Sequence, residues 1–146
     1  LIETMCSARE AIAAAQAAEK YAKDAWAISF CVSTTDVGVL LDGTPLSEIT
    51  PHLAGASFIG INCVSAPQLA EQVTHLRSLL PDYMPIAAYG NVGYADDDGG
   101  WVNTDAIDPN TFAEYAVKWV KSGAKIVGGC CGTTPKTIAS LKKVIE

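Results

Sequence analysis

The chain has 146 residues, 49% of them hydrophobic and 18% charged, with a formal net charge of −6. That length suits one domain with a real core, and without an apolar run of about 18 residues no membrane-spanning helix is expected. The acidic balance argues against nucleic acid or an anionic membrane as the main partner, and five cysteines without a secretion signal point to reduced thiols in the cytoplasm.

In chain order, short apolar runs alternate with longer amphipathic stretches. "LIETM" (1–5) reads as a core strand that opens at the first residue, which suggests a piece of a longer protein. Ser7 and Glu10 form an S-x-x-E capping box for a helix over 8–24. A second strand covers 26–32. Thr44-Pro45 then starts a helix over 45–54, with Gly55 at its C-cap. A third strand covers 57–62 and leads into Cys63, and Ser65 with Gln68 repeats the capping box before a helix over 66–80. The strand 85–89 is followed by "NVGYADDDGGWVNTDAID" (91–108), an irregular segment long enough to be a lid or binding loop. Asp108-Pro109 starts a helix over 109–122, Gly123 ends it, and a strand covers 124–128. Thr134-Pro135 opens the last helix, 135–145.

Five βα units in succession imply a parallel sheet with helical crossovers, in either a doubly wound open sheet or part of a barrel. The chemically interesting residues, Glu3, Cys63, Asn91 and the pair Cys130/Cys131, all fall at C-terminal strand ends. Convergence from many strands favours an α/β fold that is the C-terminal part of a (β/α)8 TIM barrel. Residues 1–146 would then be a single partial-barrel domain lacking about three units. Its open first and last strands are candidates for self-association.

"GGCCGTTP" (128–135) places two thiols in a glycine-rich turn. Adjacent cysteines are poor disulfide partners. With Cys63 on the same rim, Cys130 and Cys131 match the ligand set of a tetrahedral zinc site with one open position. Two other readings stay open: small buried cysteines without a metal, and a turn that binds phosphate through backbone N–H groups. Cys6 and Cys31 read as ordinary buried cysteines, His52 and His75 as surface or packing residues of helices and not metal ligands, and the "DDDGGW" run (96–101) as a solvated acidic loop.

"GINC" followed by "GGCCGTTP", together with "LIETM", "LLDGTPL" and "AAYGNVG", resembles the zinc-dependent homocysteine S-methyltransferase family over essentially the whole chain. The resemblance implies a (β/α)8 barrel whose fourth to eighth strands are present here. It also implies Zn2+ on Cys63, Cys130 and Cys131, and a cytoplasmic enzyme that methylates homocysteine to methionine. Glu3 would hold the substrate ammonium, and Asn91 would sit near the metal. The family's Asp-Gly-rich first-strand segment is absent. The motif that often reads Tyr-Pro-Asn is Tyr89-Gly90-Asn91, and Tyr94 follows Gly93. The donor is therefore left open among S-methylmethionine, betaine and methyl-folate types.

Overall fold

A computed structural model describes residues 1–22, 25–96 and 98–145. The strands are β1 (Ile2–Met5), β2 (Ile28–Phe30), β3 (Ile59–Ser65), β4 (Ile86–Asn91), β5 (Gly93–Ala95), β6 (Trp101–Asn103) and β7 (Ala124–Gly129). The helices are α1 (Ala8–Tyr21), α2 (Leu46–Ile49), α3 (Leu69–Leu79), α4 (Pro109–Lys121) and α5 (Pro135–Ile145). The expected end of the first helix, residues 23 and 24, lies outside the described residues.

The main sheet is parallel with strand order β1-β2-β3-β4-β7. Strand order follows chain order without the reversal that marks a doubly wound sheet. Helices touch their neighbours in the same sequence, α1 to α2, α2 to α3, α3 to α4 and α4 to α5. The helices therefore line one face, and the five predicted βα units are all present.

Register explains how the sheet divides its residues. Ile2, Ile28, Ile59, Ile86 and Ala124 form one row across it, and Phe30, Ile61, Ala88 and Val127 form another. These rows alternate with Ser29, Gly60, Ala87 and Ile126, and with Asn62, Tyr89 and Gly128. Because side chains alternate faces along a strand, the two apolar rows point one way and the other two, small or polar except for Ile126, point the other. The aliphatic rows join the core with Ala11, Leu69, Phe112 and Trp119 from the helices. Trp119 meets Phe112 edge-on at 5.3 Å and donates its indole N–H to the carbonyl of Ala66 at 3.1 Å. Its ring lies where a side chain at Gly90 would stand.

Local signals were obeyed unevenly. Asp108 caps α4 by accepting from the N–H groups of Asn110 and Thr111 at 3.0 and 2.9 Å, and these bonds hold its carboxyl below the usual range. Thr134 accepts from the N–H of Thr137 at 3.4 Å. Gly123 ends α4 with φ +115°. Ser7 makes no side-chain cap. Asp42 takes that place by accepting from the N–H of Ala8 at 2.8 Å. Ser65 bonds Gln68 at 2.6 Å as the motif suggests, yet it belongs to β3, and α3 begins only at Leu69. The 45–54 helix shortens to α2 and a 3-10 turn at Thr50–His52, where Pro51 lacks the N–H that an α-helix would use. Segment 91–108 is not wholly irregular, because β5 and β6 pair antiparallel within it.

Candidate metal centre

Three strand ends build the rim. In β3, register slips between Asn62 and Ser65, and Cys63 takes φ +60°. Such a bulge re-aims a side chain, and left-handed backbone at a non-glycine residue is a strained conformation that marks functional sites. Beyond β7, the N–H of Cys130 donates to the carbonyl of Gly90 at 2.8 Å. The carbonyl of Cys131 accepts from Val92 at 3.1 Å. Gly132, with φ +78°, turns the chain away. The sequence Cys-Cys-Gly is thereby folded back against the end of β4.

The sulfurs of Cys63, Cys130 and Cys131 lie within 4.8 Å of one another. Cys63 and Cys131 are 3.7 Å apart, and Cys130 and Cys131 are 4.0 Å apart. Ligands around a tetrahedral ion with metal–sulfur bonds of about 2.3 Å sit roughly 3.8 Å from each other. The spacing therefore fits three corners of one tetrahedron. No described disulfide uses these thiols, and all five cysteines are free.

Electrostatics agree with that fit. Desolvation first, and then the neighbouring sulfurs of Cys63 and Cys130, together raise the Cys131 thiol to about 12. Cys130 is also raised, first by burial and then by Cys63. Cys130 and Cys131 therefore resist ionising, and a nearby positive charge would offset that. Among the described residues no basic side chain lines the adjoining groove. A thiophilic cation is the counter-charge this donor set accepts.

Asn91 joins the two arms. It is buried, its Oδ1 accepts from the N–H of Cys131 at 3.0 Å, and its Nδ2 points to the sulfur of Cys63 at 3.7 Å. Hydrogen bonding within this turn weighs against the phosphate reading. The N–H groups of Cys130, Cys131, Thr133 and Thr134 already donate to Gly90, Asn91, Cys130 and Thr137.

Glu3 is exposed but is the second of the four residues of β1, not at its C-terminal end as expected. Its carboxylate acts on Tyr89, whose hydroxyl is pushed up to about 12, first by burial and also by the hydrogen bond and charge of Glu3. Tyr89 in turn contacts the Ser29 hydroxyl at 2.6 Å. Ser29 donates to Asn62 at 2.9 Å, and Asn62 donates to Thr4 at 2.7 Å. Thr4 has φ +60° beside a register shift in β1, as Cys63 does in β3. This chain of Thr4, Asn62, Ser29 and Tyr89 escaped sequence reasoning. Its only signal was a polar letter at alternate positions of apolar strands.

A groove of about 240 Å³ adjoins the sulfurs, lined among others by Cys31, Cys63, Asn91, Tyr94, Trp101 and Cys131. Trp101 and Tyr94 come from the β5–β6 hairpin, which is tied down where Thr104 bonds the carbonyl of Val92 at 2.8 Å. Part of the acidic run thus supplies an aromatic wall. Asp97 of that run lies outside the described residues. Cys31 is also more than filler, since its thiol points to the carbonyl of Cys63 at 3.8 Å. His52 lies in the 3-10 turn after α2, and His75 lies on α3 against Gly38. Neither joins the metal-type cluster, which among the described residues consists of the three cysteines alone.

Residues 1–145 match the family model described as homocysteine S-methyltransferase. Homocysteine S-methyltransferase 2 of Saccharomyces cerevisiae is 34% identical over 126 residues, covering 79% of this chain and 38% of that relative. Homocysteine S-methyltransferase of Escherichia coli is 34% identical over 118 residues, with 77% and 37% covered. The metallated form of the Escherichia coli homocysteine methyltransferase MmuM superposes with a TM-score of 0.74 at 29% identity. That match covers 97% of this chain and 43% of MmuM. The oxidized form gives a TM-score of 0.76 at 30% identity. The chain thus spans less than half the length of each of these relatives.

Proposed function

The chain belongs to the homocysteine S-methyltransferase family, and on that premise we propose that it carries the metal-binding part of an enzyme that methylates homocysteine to methionine. The observation that carries this reading is the triangle of cysteine sulfurs with tetrahedral spacing. Cys63, Cys130 and Cys131 would hold Zn2+, whose charge lowers the pKa of a substrate thiol and keeps it as the nucleophile.

The remaining roles belong to the chain's own side chains. Asn91 fixes Cys131 through its backbone and holds Cys63 through its amide, setting the separation of the two arms. Glu3 offers an exposed carboxylate for the substrate ammonium. Tyr89, kept neutral, anchors that corner to Ser29. The substrate sulfur attacks the donor's methyl carbon in line. The new S–C bond forms as the donor's bond to methyl breaks, and the donor leaves with that electron pair. The groove bears aromatic faces from Tyr94 and Trp101 and, among the described residues, no basic group, which suits a cationic donor better than an anionic methyl-folate type. Reduced thiols at the centre suit a cytoplasmic setting.

The fold is proposed to be one partial-barrel domain over 1–146, its strands corresponding to the fourth to eighth of a (β/α)8 barrel. Support comes from strand order without reversal and helices on one face. The outer edges of β1 and β7 carry no strand among the described residues, and Ile126 is 42% exposed beside one of them. Further βα units would cover both edges. A chain without them would self-associate.

A methylation assay tests the activity. Zinc-loaded protein is offered homocysteine with a sulfonium, a quaternary ammonium or a methyl-folate donor. Methionine should form, and Cys130→Ser should abolish it. Glu3→Gln should raise KM for homocysteine at least 10-fold. Absence of methionine with all three donors from the polypeptide that includes the barrel's remaining units would reject the enzyme reading.

A further inference from the structure

The polar line of Thr4, Asn62, Ser29 and Tyr89 is short of a proton, and the shortage lies beside Glu3. Asn62 gives an amide N–H to Thr4 at 2.7 Å, so its Oδ1 is the acceptor that takes the Ser29 proton at 2.9 Å. A serine hydroxyl has a single proton to give. In the 2.6 Å contact between Ser29 and Tyr89, the phenol is therefore the donor. The Ser29 Oγ also accepts from the backbone N–H of Thr4 at 3.4 Å.

Glu3 makes a second claim on the same phenol proton. Ile2 pairs with Ile28, so Glu3 and Ser29 follow on neighbouring strands and share the face away from the helices. The Glu3 carboxylate hydrogen-bonds the Tyr89 hydroxyl. That single proton cannot satisfy both the Ser29 Oγ and a carboxylate. The corner lacks a donor with several N–H groups. Tyr89 is half-buried, and its phenol also lies in the field of Cys130. It thus stands between the carboxylate and the sulfur cluster, the span that an amino-acid thiol would cover.

We propose that the Tyr89 hydroxyl oxygen accepts a hydrogen bond from the ammonium group of homocysteine, sharing that group with the Glu3 carboxylate. This assignment rests on the homocysteine reading and adds Tyr89 to the residues that touch substrate. On binding, the ammonium supplies donors to both oxygens, and the phenol gives its proton to Ser29 alone. Tyr89 stays neutral, and the ammonium keeps its protons. Ser29 and Asn62 act as positioning residues, because their bonds fix where the phenol oxygen points.

The test is calorimetric titration without a methyl donor, on the zinc-loaded polypeptide that includes the barrel's remaining units. The ligands are homocysteine and 4-mercaptobutanoate, which keeps the thiol and carboxylate and lacks the ammonium. Wild type should prefer homocysteine. Tyr89→Phe should lower that preference roughly 10-fold, the size of one hydrogen bond to a charged group. Its zinc content and its affinity for 4-mercaptobutanoate should hold, whereas a merely structural role would weaken both thiols together. Glu3→Ala, at an exposed position, should keep part of the preference, carried by Tyr89, and decides the matter where Tyr89→Phe fails to fold. No preference in wild type, an unchanged preference or equal losses in Tyr89→Phe, or no preference left in Glu3→Ala overturns the inference and leaves the metal-centre reading standing. A wild type that binds neither thiol overturns the homocysteine reading and this inference together.

Discussion

The two faces of the parallel sheet are built from the same strands and obey different rules. The helix-covered face carries Ile28, Phe30, Ile59, Ile61 and Ile86, which are essentially inaccessible to solvent. There, burial of apolar area is the organising force, and any aliphatic of similar size would serve nearly as well. The opposite face carries Ser29, Asn62 and Tyr89, joined in one line of hydrogen bonds. There, each group depends on a particular partner, because a buried polar atom without one is costly. The first face holds the chain together. The second leads to the strand ends where the chemistry sits.

That contrast can be broken from either side. The largest stability effect should come from the helix face. Trp119→Ala removes an inaccessible ring and its bond to Ala66, and should cost about 3–5 kcal/mol in denaturant unfolding. The sulfur centre should keep its metal stoichiometry at low temperature. Asn62→Ala, on the other face, strands Ser29 and Thr4 and should cost about 1–3 kcal/mol. A neutral outcome there would mean the polar line is not coupled. Asn91→Ala should leave global stability closer to wild type while weakening metal binding about 10–100-fold in a chelator competition. Equal metal affinity would show that the arms are positioned without it.

The smallest effect concerns pH. Asp108 has its carboxyl lowered from 3.8 by the N–H groups it caps. A depressed carboxyl contributes stability above its unfolded pKa and loses it as pH falls through the lower folded value. Wild type should therefore lose a small part of its thermal stability below pH 3.8 that Asp108→Asn lacks already at neutral pH. Parallel acid profiles for the two proteins would remove Asp108 from the account.

The difference between the faces also governs what could be read from the letters. Aliphatic runs announce strands because burial is non-specific and needs no partner, and all five parallel strands were visible that way. Pattern alone left Cys63, Cys130 and Cys131 open between a metal site, buried thiols and a phosphate turn, and the family resemblance singled them out; the fold brings their sulfurs within 4.8 Å of one another. The line from Thr4 to Tyr89 was not visible, since which polar residues meet across strands depends on register and on two left-handed residues that no local pattern announces. Ser7 failed as a cap because Asp42, distant in sequence, reached α1 first. The β5–β6 hairpin was missed because strands of three residues are too short to show alternation. Its consequence is chemical, since Trp101 and Tyr94 face the groove beside the sulfurs.

The most direct test of the central claim is the metal content of the reduced protein and its cysteine variants, read by inductively coupled plasma mass spectrometry after exhaustive dialysis. The account predicts one zinc per chain in wild type and in Cys6→Ser, and none in Cys63→Ser, Cys130→Ser or Cys131→Ser, with helical content unchanged. Zinc absent from wild type, or retained equally by all three of those variants, would contradict it.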